Sequence, residues 1–275
     1  MIFGEYAYNY VYSYGSYRNK TMWVRDADAL QNEYDFVILG NSRAYYHLDP
    51  ILITEKTGKQ GLNLAINNSY PFEIKLMLQD FFKNSKADQA FIQVDYTYNV
   101  TQPDIQASVD WIPYIIEESL FRQFPKQQKE FIYYKSIPFY RYSKFESVLG
   151  FRNVLLSIVG KEPNFLLHNG FVSLQKRELD VKPFSFTLKN TANPHLKDII
   201  DLVNEKGVEL YFFTAPCYNS EGNFEVLSSQ LPNYTNFSEA IEEEFLFSDA
   251  IHLNENGAIR FTEIFIDTYF EYKED

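Results

Sequence analysis

Tyr34-Asp35-Phe36-Val37-Ile38-Leu39-Gly40-Asn41-Ser42-Arg43-Ala44 is the stretch from which the fold is read. Its first half is a short apolar run that stops at a glycine. Unbroken apolarity over so few residues suits a strand buried on both faces, as in a parallel sheet. Asn41-Ser42-Arg43 then reads as a polar turn. In open parallel sheets ligands bind beyond the C-terminal strand ends, so polar residues there carry the most weight.

Working outward, Asp49 is predicted to cap a helix with Pro50 at its first position, ending near Lys56 and Gly58. Gly61-Leu62-Asn63-Leu64-Ala65 reads as a second short strand. Pro71 opens a helix whose Ile74, Met77, Leu78, Phe81 and Phe82 recur at helical spacing. Ala90-Phe91-Ile92-Gln93-Val94-Asp95 is a third buried strand. Far downstream, Asn193 and Pro194 start a helix with Leu196, Ile199, Ile200 and Val203 on one face, stopped at Gly207. Val208-Glu209-Leu210-Tyr211-Phe212-Phe213-Thr214 follows as a strand. Asn254 caps a last helix carrying Ala258, Phe261, Ile264, Phe265 and Tyr269. Strands alternating with helices predict an α/β sheet covered on both faces, with right-handed crossovers.

Two stretches stand outside this alternation. Residues from about 101 to 190 are rich in Tyr, Phe and Lys and contain Pro113, Pro125, Pro138, Pro163 and Pro183. They are expected to form a partly helical, cap-like insertion between the third and fourth strands, lying over the strand ends. Residues 1–33 form an N-terminal extension. There Tyr6, Tyr8, Tyr10, Tyr12, Tyr14 and Tyr17 suit either one face of an edge strand or an amphipathic cover on the core. Exposed tyrosines also suit sugar or partner contacts, since each ring has an apolar face and a polar tip.

At 275 residues, 45% hydrophobic and 23% charged, the chain fits one globular domain, which excludes disorder. Cys217 is the only cysteine, so neither an internal disulfide nor a thiolate zinc cluster can form. A net charge of -12 with no compact basic stripe argues against nucleic acid as a partner. No apolar run reaches the ~20 residues of a membrane helix. Met1-Ile2-Phe3-Gly4-Glu5-Tyr6 lacks the basic and apolar regions of a signal peptide. Read literally, this gives a soluble cytoplasmic protein; the alternative is the soluble part of a longer chain whose leader or membrane anchor has been removed.

The chemistry is sought at the strand ends. Ser42, on a tight turn after a buried strand, exposes its hydroxyl and leaves its N–H free to meet a developing anion. Asp249 precedes His252 by three residues, close enough to accept from imidazole Nδ1–H and leave Nε2 basic. His47, His168 and His195 have no such companion and are assigned to surface or packing roles. Stabilising an oxyanion needs further donors. Besides the Ser42 N–H, the candidates are the Ala65 N–H, then the amides of Asn67 and Asn99, with Asn68 and Asp95 nearby.

Taken together, Gly40-x-Ser42-Arg43-Ala44, Asn63-Leu64-Ala65 and Asp249-x-x-His252 resemble the motifs of the SGNH (GDSL-type) hydrolases. More narrowly, 38–44 and 249–258 resemble a bacterial branch linked to cell-surface polysaccharides. The resemblance spans roughly 35–99 and 208–269. It implies a three-layer sandwich about a five-stranded parallel sheet of the flavodoxin-like kind. It also implies Ser42 as nucleophile, His252 as base and Asp249 as its orienter, with neither metal nor organic cofactor. The implied reactions are ester hydrolysis or O-acetyl transfer on an acylated carbohydrate or small ester, in the periplasm or cell envelope. Three positions depart from the family pattern. Asn41 stands for its usual Asp, Ala65 for its usual Gly, and no Gly-x-Asn-Asp block is found near 94–99. The competing expectation is a non-catalytic carbohydrate-binding or assembly protein on the same scaffold.

Overall fold

Phe36, Val37, Ile38 and Leu39 are all buried in the computed structural model, which describes residues 2–126, 128–175 and 185–273. They end strand β1 (Glu33–Leu39). β1 pairs in parallel with β2 (Gly61–Asn63) on one side, Val37 beside Leu62, and with β3 (Lys86–Gln93) on the other, Val37 beside Ala90. β4 (Glu209–Thr214) lies along β3, and β5 (Tyr234–Asn236) along β4. The result is a five-stranded parallel sheet of order β2-β1-β3-β4-β5. The helices that frame it and the site are α1 (Ile2–Tyr14), α2 (Lys20–Arg25), α3 (Ser42–Tyr45), α4 (Pro50–Thr57), α5 (Pro71–Asn84), α6 (Pro194–Lys206) and α7 (Glu255–Tyr269).

Side chains of a strand alternate between faces, and each face of β1 has its own cover. Phe36 and Ile38 pack with Ile53 of α4 and Phe261, Phe265 and Ile266 of α7. Val37 and Leu39 pack with Phe72, Leu76 and Phe81 of α5 and Leu196, Ile199 and Val203 of α6. This is the three-layer α/β/α sandwich expected of a run apolar on both faces. Helix boundaries follow local chemistry. Asp49 accepts from Ile51 N–H at 2.9 Å, Asn193 from His195 N–H at 2.9 Å, and Asn254 from Gly257 N–H at 3.1 Å. Gly58 and Gly207 close α4 and α6 in the left-handed conformation.

The structure decides between the two forms expected of the N-terminal extension and adds one strand that was not read. Residues 2–14 form helix α1, not an edge strand. On a helix the alternate tyrosines split: Tyr12 points inward and stacks on Tyr142 at 5.8 Å, while Tyr6, Tyr10 and Tyr14, four apart, face solvent. Strand β5 had no visible signal, because three residues after Asn233 are too few to show a period.

Residues 105–168 lie over the sandwich as short helices and turns, among them Ile105–Ser108, Glu130–Ser136, Tyr140–Lys144 and Phe151–Ile158. Trp111 anchors this segment. It is fully buried, and its indole N–H donates to Asp80 Oδ2 of α5 at 2.8 Å, while Arg25 of α2 pairs with Asp80 Oδ1 at 2.8 Å. Pro183 lies outside the described residues. Among the described residues no helix is long and apolar enough to cross a membrane.

Candidate active site

The chain leaves β1 through Gly40, whose φ of +152° is open to glycine and costly to other residues. A Cβ there would lie 2.6 Å from Gln93 Cβ and 3.0 Å from Ala44 Cβ, so the turn passes hard against the end of β3. Asn41 caps α3, its Oδ1 accepting from Arg43 N–H at 2.9 Å. Ser42 is thus the first residue of α3, where a backbone N–H has no acceptor within the helix.

Beneath this turn lies Asp95, fully buried just past the end of β3. Its Oδ2 accepts from Asn41 Nδ2 at 2.8 Å, Gln93 Nε2 at 2.9 Å and Arg43 Nη1 at 3.2 Å. Its Oδ1 accepts from Thr97 N–H at 2.9 Å and Thr97 Oγ1 at 3.0 Å. Arg43 itself is 1% exposed and donates through Nη2 to the carbonyls of Ala215 and Pro216 beyond β4. One carboxylate therefore ties the Ser42 turn to two other strand ends. Asp95 is a structural hub here, and each of its oxygens is occupied.

The second half of the site is the loop before α7. Ser248 N–H donates to His252 O at 2.8 Å, closing a tight turn. Asp249 Oδ1 accepts from the N–H groups of Ile251 and His252 at 3.0 and 2.9 Å. His252 Nδ1 lies 3.0 and 2.9 Å from the two Asp249 oxygens, and its Nε2 lies 2.7 Å from Ser42 Oγ. A carboxylate can only accept, so Nδ1 carries the proton and Nε2 presents its lone pair to the serine hydroxyl. Burial raises the Asp249 pKa, but the hydrogen bond and charge of His252 and the two backbone donors outweigh it. The carboxyl is held below its ordinary value. Ser42 and His252 are half-buried, so both remain within reach of a ligand. A hydroxyl so placed can lose its proton to the imidazole as it attacks an electrophilic carbon.

His47 supports that loop from below. It is fully buried, and its Nε2 accepts from Leu253 N–H at 3.0 Å, next to His252. Burial, then the neighbouring His252 and Arg43, push its pKa well below the usual value, so the ring is neutral. Tyr46 stands edge-on to His252 with centroids 5.8 Å apart and accepts from Asn67 Nδ2 at 2.6 Å.

The expected oxyanion donors are not all at hand. The Ala65 N–H donates to Asn63 Oδ1 at 3.1 Å and is already engaged. Asn99 is turned to the returning insertion: its Nδ2 donates to Lys189 O at 3.0 Å and its Oδ1 accepts from Lys189 N–H at 2.7 Å. That pairing removes Asn99 from consideration, because both ends of its amide are used in holding 189–191. Asn68 donates to Gln106 Oε1 at 2.8 Å. Asn67 is exposed beside Tyr46, and its amide keeps a second N–H.

Lys20, on α2 in the N-terminal extension, gave no signal in the sequence. It is 3% exposed, and its Nζ donates to the carbonyls of Asn63 and Ala65, each at 2.7 Å, while lying 3.9 Å over the Tyr45 ring. Burial alone pushes its pKa well below the lysine norm. The extension thus fixes the loop after β2 from the inside. A cavity of about 510 Å³ opens beside that loop, with Tyr45, Asn67, Asn68, Gln106 and Asp110 among its walls.

No family model matches the chain, and no curated protein does. Among solved structures, one described as a gut microbial diltiazem-metabolizing enzyme aligns at 15% identity and a TM-score of 0.29. The alignment covers 86% of this chain and 47% of that one, so this chain spans about half of its length.

Proposed function

We propose that the protein is a serine-dependent acyl ester hydrolase or O-acyltransferase of the SGNH type, acting on an acylated carbohydrate or small ester. One observation carries the reading: the 2.7 Å contact of Ser42 Oγ with His252 Nε2, backed by Asp249 on Nδ1. In this reading Ser42 Oγ attacks the acyl carbonyl carbon while His252 Nε2 takes its proton. The tetrahedral intermediate then collapses, the C–O bond to the leaving alcohol breaks, and His252 returns the proton to that alcohol. Water or a second hydroxyl, deprotonated by the same imidazole, attacks the acyl-serine and releases the acid or the new ester. Asp249 stabilises the imidazolium at both stages. The Ser42 N–H at the head of α3 and the free N–H of Asn67 are the donors for the carbonyl oxygen. The neighbouring cavity, with a tyrosine wall and several amides, suits a hydroxylated ring. An extracytoplasmic home goes with the family resemblance.

The engaged Ala65 N–H favours a second reading, a non-catalytic glycan-binding protein on this scaffold. A fluorophosphonate probe separates the two. Stoichiometric labelling of Ser42, with p-nitrophenyl acetate turnover lost in Ser42→Ala at unchanged melting temperature, supports the enzyme. No labelling of the folded protein, with glycan binding retained, supports the module.

A further inference from the structure

Helix α1 carries large aromatic side chains on its solvent face as well as on its core face. Two of its polar residues turn inward: Glu5 pairs with the buried Arg141, and Asn9 Oδ1 accepts from Arg141 Nη2 at 2.8 Å. Val11 and Tyr12 face the core, yet Phe3, at 85% exposure, and Tyr6, Tyr10 and Tyr14 face solvent. A surface helix ordinarily confines such apolar side chains to its core-facing stripe. Against it lies the Phe151–Ile158 helix, where Ser157 Oγ donates to Ser16 O at 2.7 Å. The two approach so closely that a Cβ on Gly15 would lie 2.3 Å from Ser157 Oγ. The second helix also leaves Phe151 and Ile158 exposed, at 65% each, and Leu155 beside them. Two bordering stripes of large apolar side chains on one protein call for a partner.

The charge of the same region says which. Residues 122–161 hold eight Lys and Arg against two acids, Glu130 and Glu146, a surplus of six along the sequence; Arg141 is spent on Glu5 of α1, and Arg122 and Lys135 on Glu118, which leaves five of the cations. With the whole chain at -12, the remainder stands at -18. Lys126, Lys129, Lys144, Arg152 and Lys161 are exposed and form no ion pair among the described residues. We propose that this face, α1 with the 122–161 helices, docks on an anionic lipid bilayer. Phe and Tyr rings sit at the headgroup level, aliphatic tips reach the acyl boundary, and Lys and Arg meet the lipid phosphates. A second copy of the chain fits less well, since it would set one positive cap against another.

Co-sedimentation with vesicles tests this on the whole chain, independently of any ester chemistry. The wild type should pellet with phosphatidylcholine–phosphatidylglycerol vesicles and much less with phosphatidylcholine alone. Each surface cation near the bilayer contributes about 1 kcal/mol, so Lys129→Gln, Lys144→Gln and Arg152→Gln together should weaken binding about 100-fold at low salt. These exposed substitutions leave the fold intact. Phe3→Ser with Tyr10→Ser should weaken binding at any salt, with circular dichroism and fluorophosphonate labelling unchanged. Absence of binding to the anionic vesicles, or binding that neither variant set alters, overturns the proposal. So does a solution dimer that the Phe3/Tyr10 variant dissociates, which assigns the face to a second copy.

Discussion

Replacing Asp95 by Asn keeps the shape of the side chain and removes its charge. In the folded protein that charge faces Arg43 Nη1 at 3.2 Å with both side chains essentially out of solvent. Even with its oxygen turned to Arg43, the Asn would offer the guanidinium only a neutral acceptor beside the carbonyls of Ala215 and Pro216. Its NH2 would also confront donors whichever way it turned: Asn41, Gln93 and Arg43 on one side, Thr97 N–H and Oγ1 on the other. Removing one partner of a buried ion pair costs about 3–5 kcal/mol. At about 2 °C per kcal/mol for a chain of this size, the melting temperature should fall by about 6–10 °C. The measurement is thermal unfolding by circular dichroism, in a cycle with Arg43→Met and the double variant. The double variant should be less destabilised than the two singles summed, because it no longer buries a lone charge. Since Asn41 loses an anchor, fluorophosphonate labelling of Ser42 should also slow. An Asp95→Asn protein that melts within about 1 °C of the wild type, or strict additivity in the cycle, would refute the hub.

Other expectations follow from the same geometry. Gly40→Ala places a methyl 2.6 Å from Gln93 Cβ at a φ of +152°; it should destabilise by about 3 kcal/mol or more, read in urea, and abolish labelling of Ser42. The folded pKa of Asp249 is depressed, so its stabilising contribution is present above the unfolded value of about 3.9 and is lost as pH falls through the folded one. The melting-temperature gap between wild type and Asp249→Asn should therefore close as pH falls through the folded value of Asp249, and a gap that persists in full at the acid end would contradict the assignment.

Much of the sheet was legible because its signals are local. Phe36 to Leu39 announces a two-faced strand, and Asp49-Pro50, Asn193-Pro194 and Asn254 satisfy orphan N–H groups within a few residues of themselves. Such chemistry needs no knowledge of the rest of the chain. The tyrosine alternation in 6–17 was ambiguous for the opposite reason. A period of two describes a strand face, yet the same residues satisfy a helix once Tyr142 and Arg141 arrive to receive Tyr12 and Asn9.

By itself, the sequence determined the alternation of strands and helices and offered Ser42, Asp249 and His252 as chemically competent groups, since side-chain type and short spacing are written in it. Only the tertiary structure decided that Ser42 and His252, 210 positions apart, stand at hydrogen-bond distance. It alone showed that Asn99 is spent on 189–191, and that Lys20, Asp95 and His47 brace the site from below. The reason is physical. Which donor finds which acceptor across a packed core depends on where the sheet order β2-β1-β3-β4-β5 carries each strand end, and no local pattern encodes that juxtaposition.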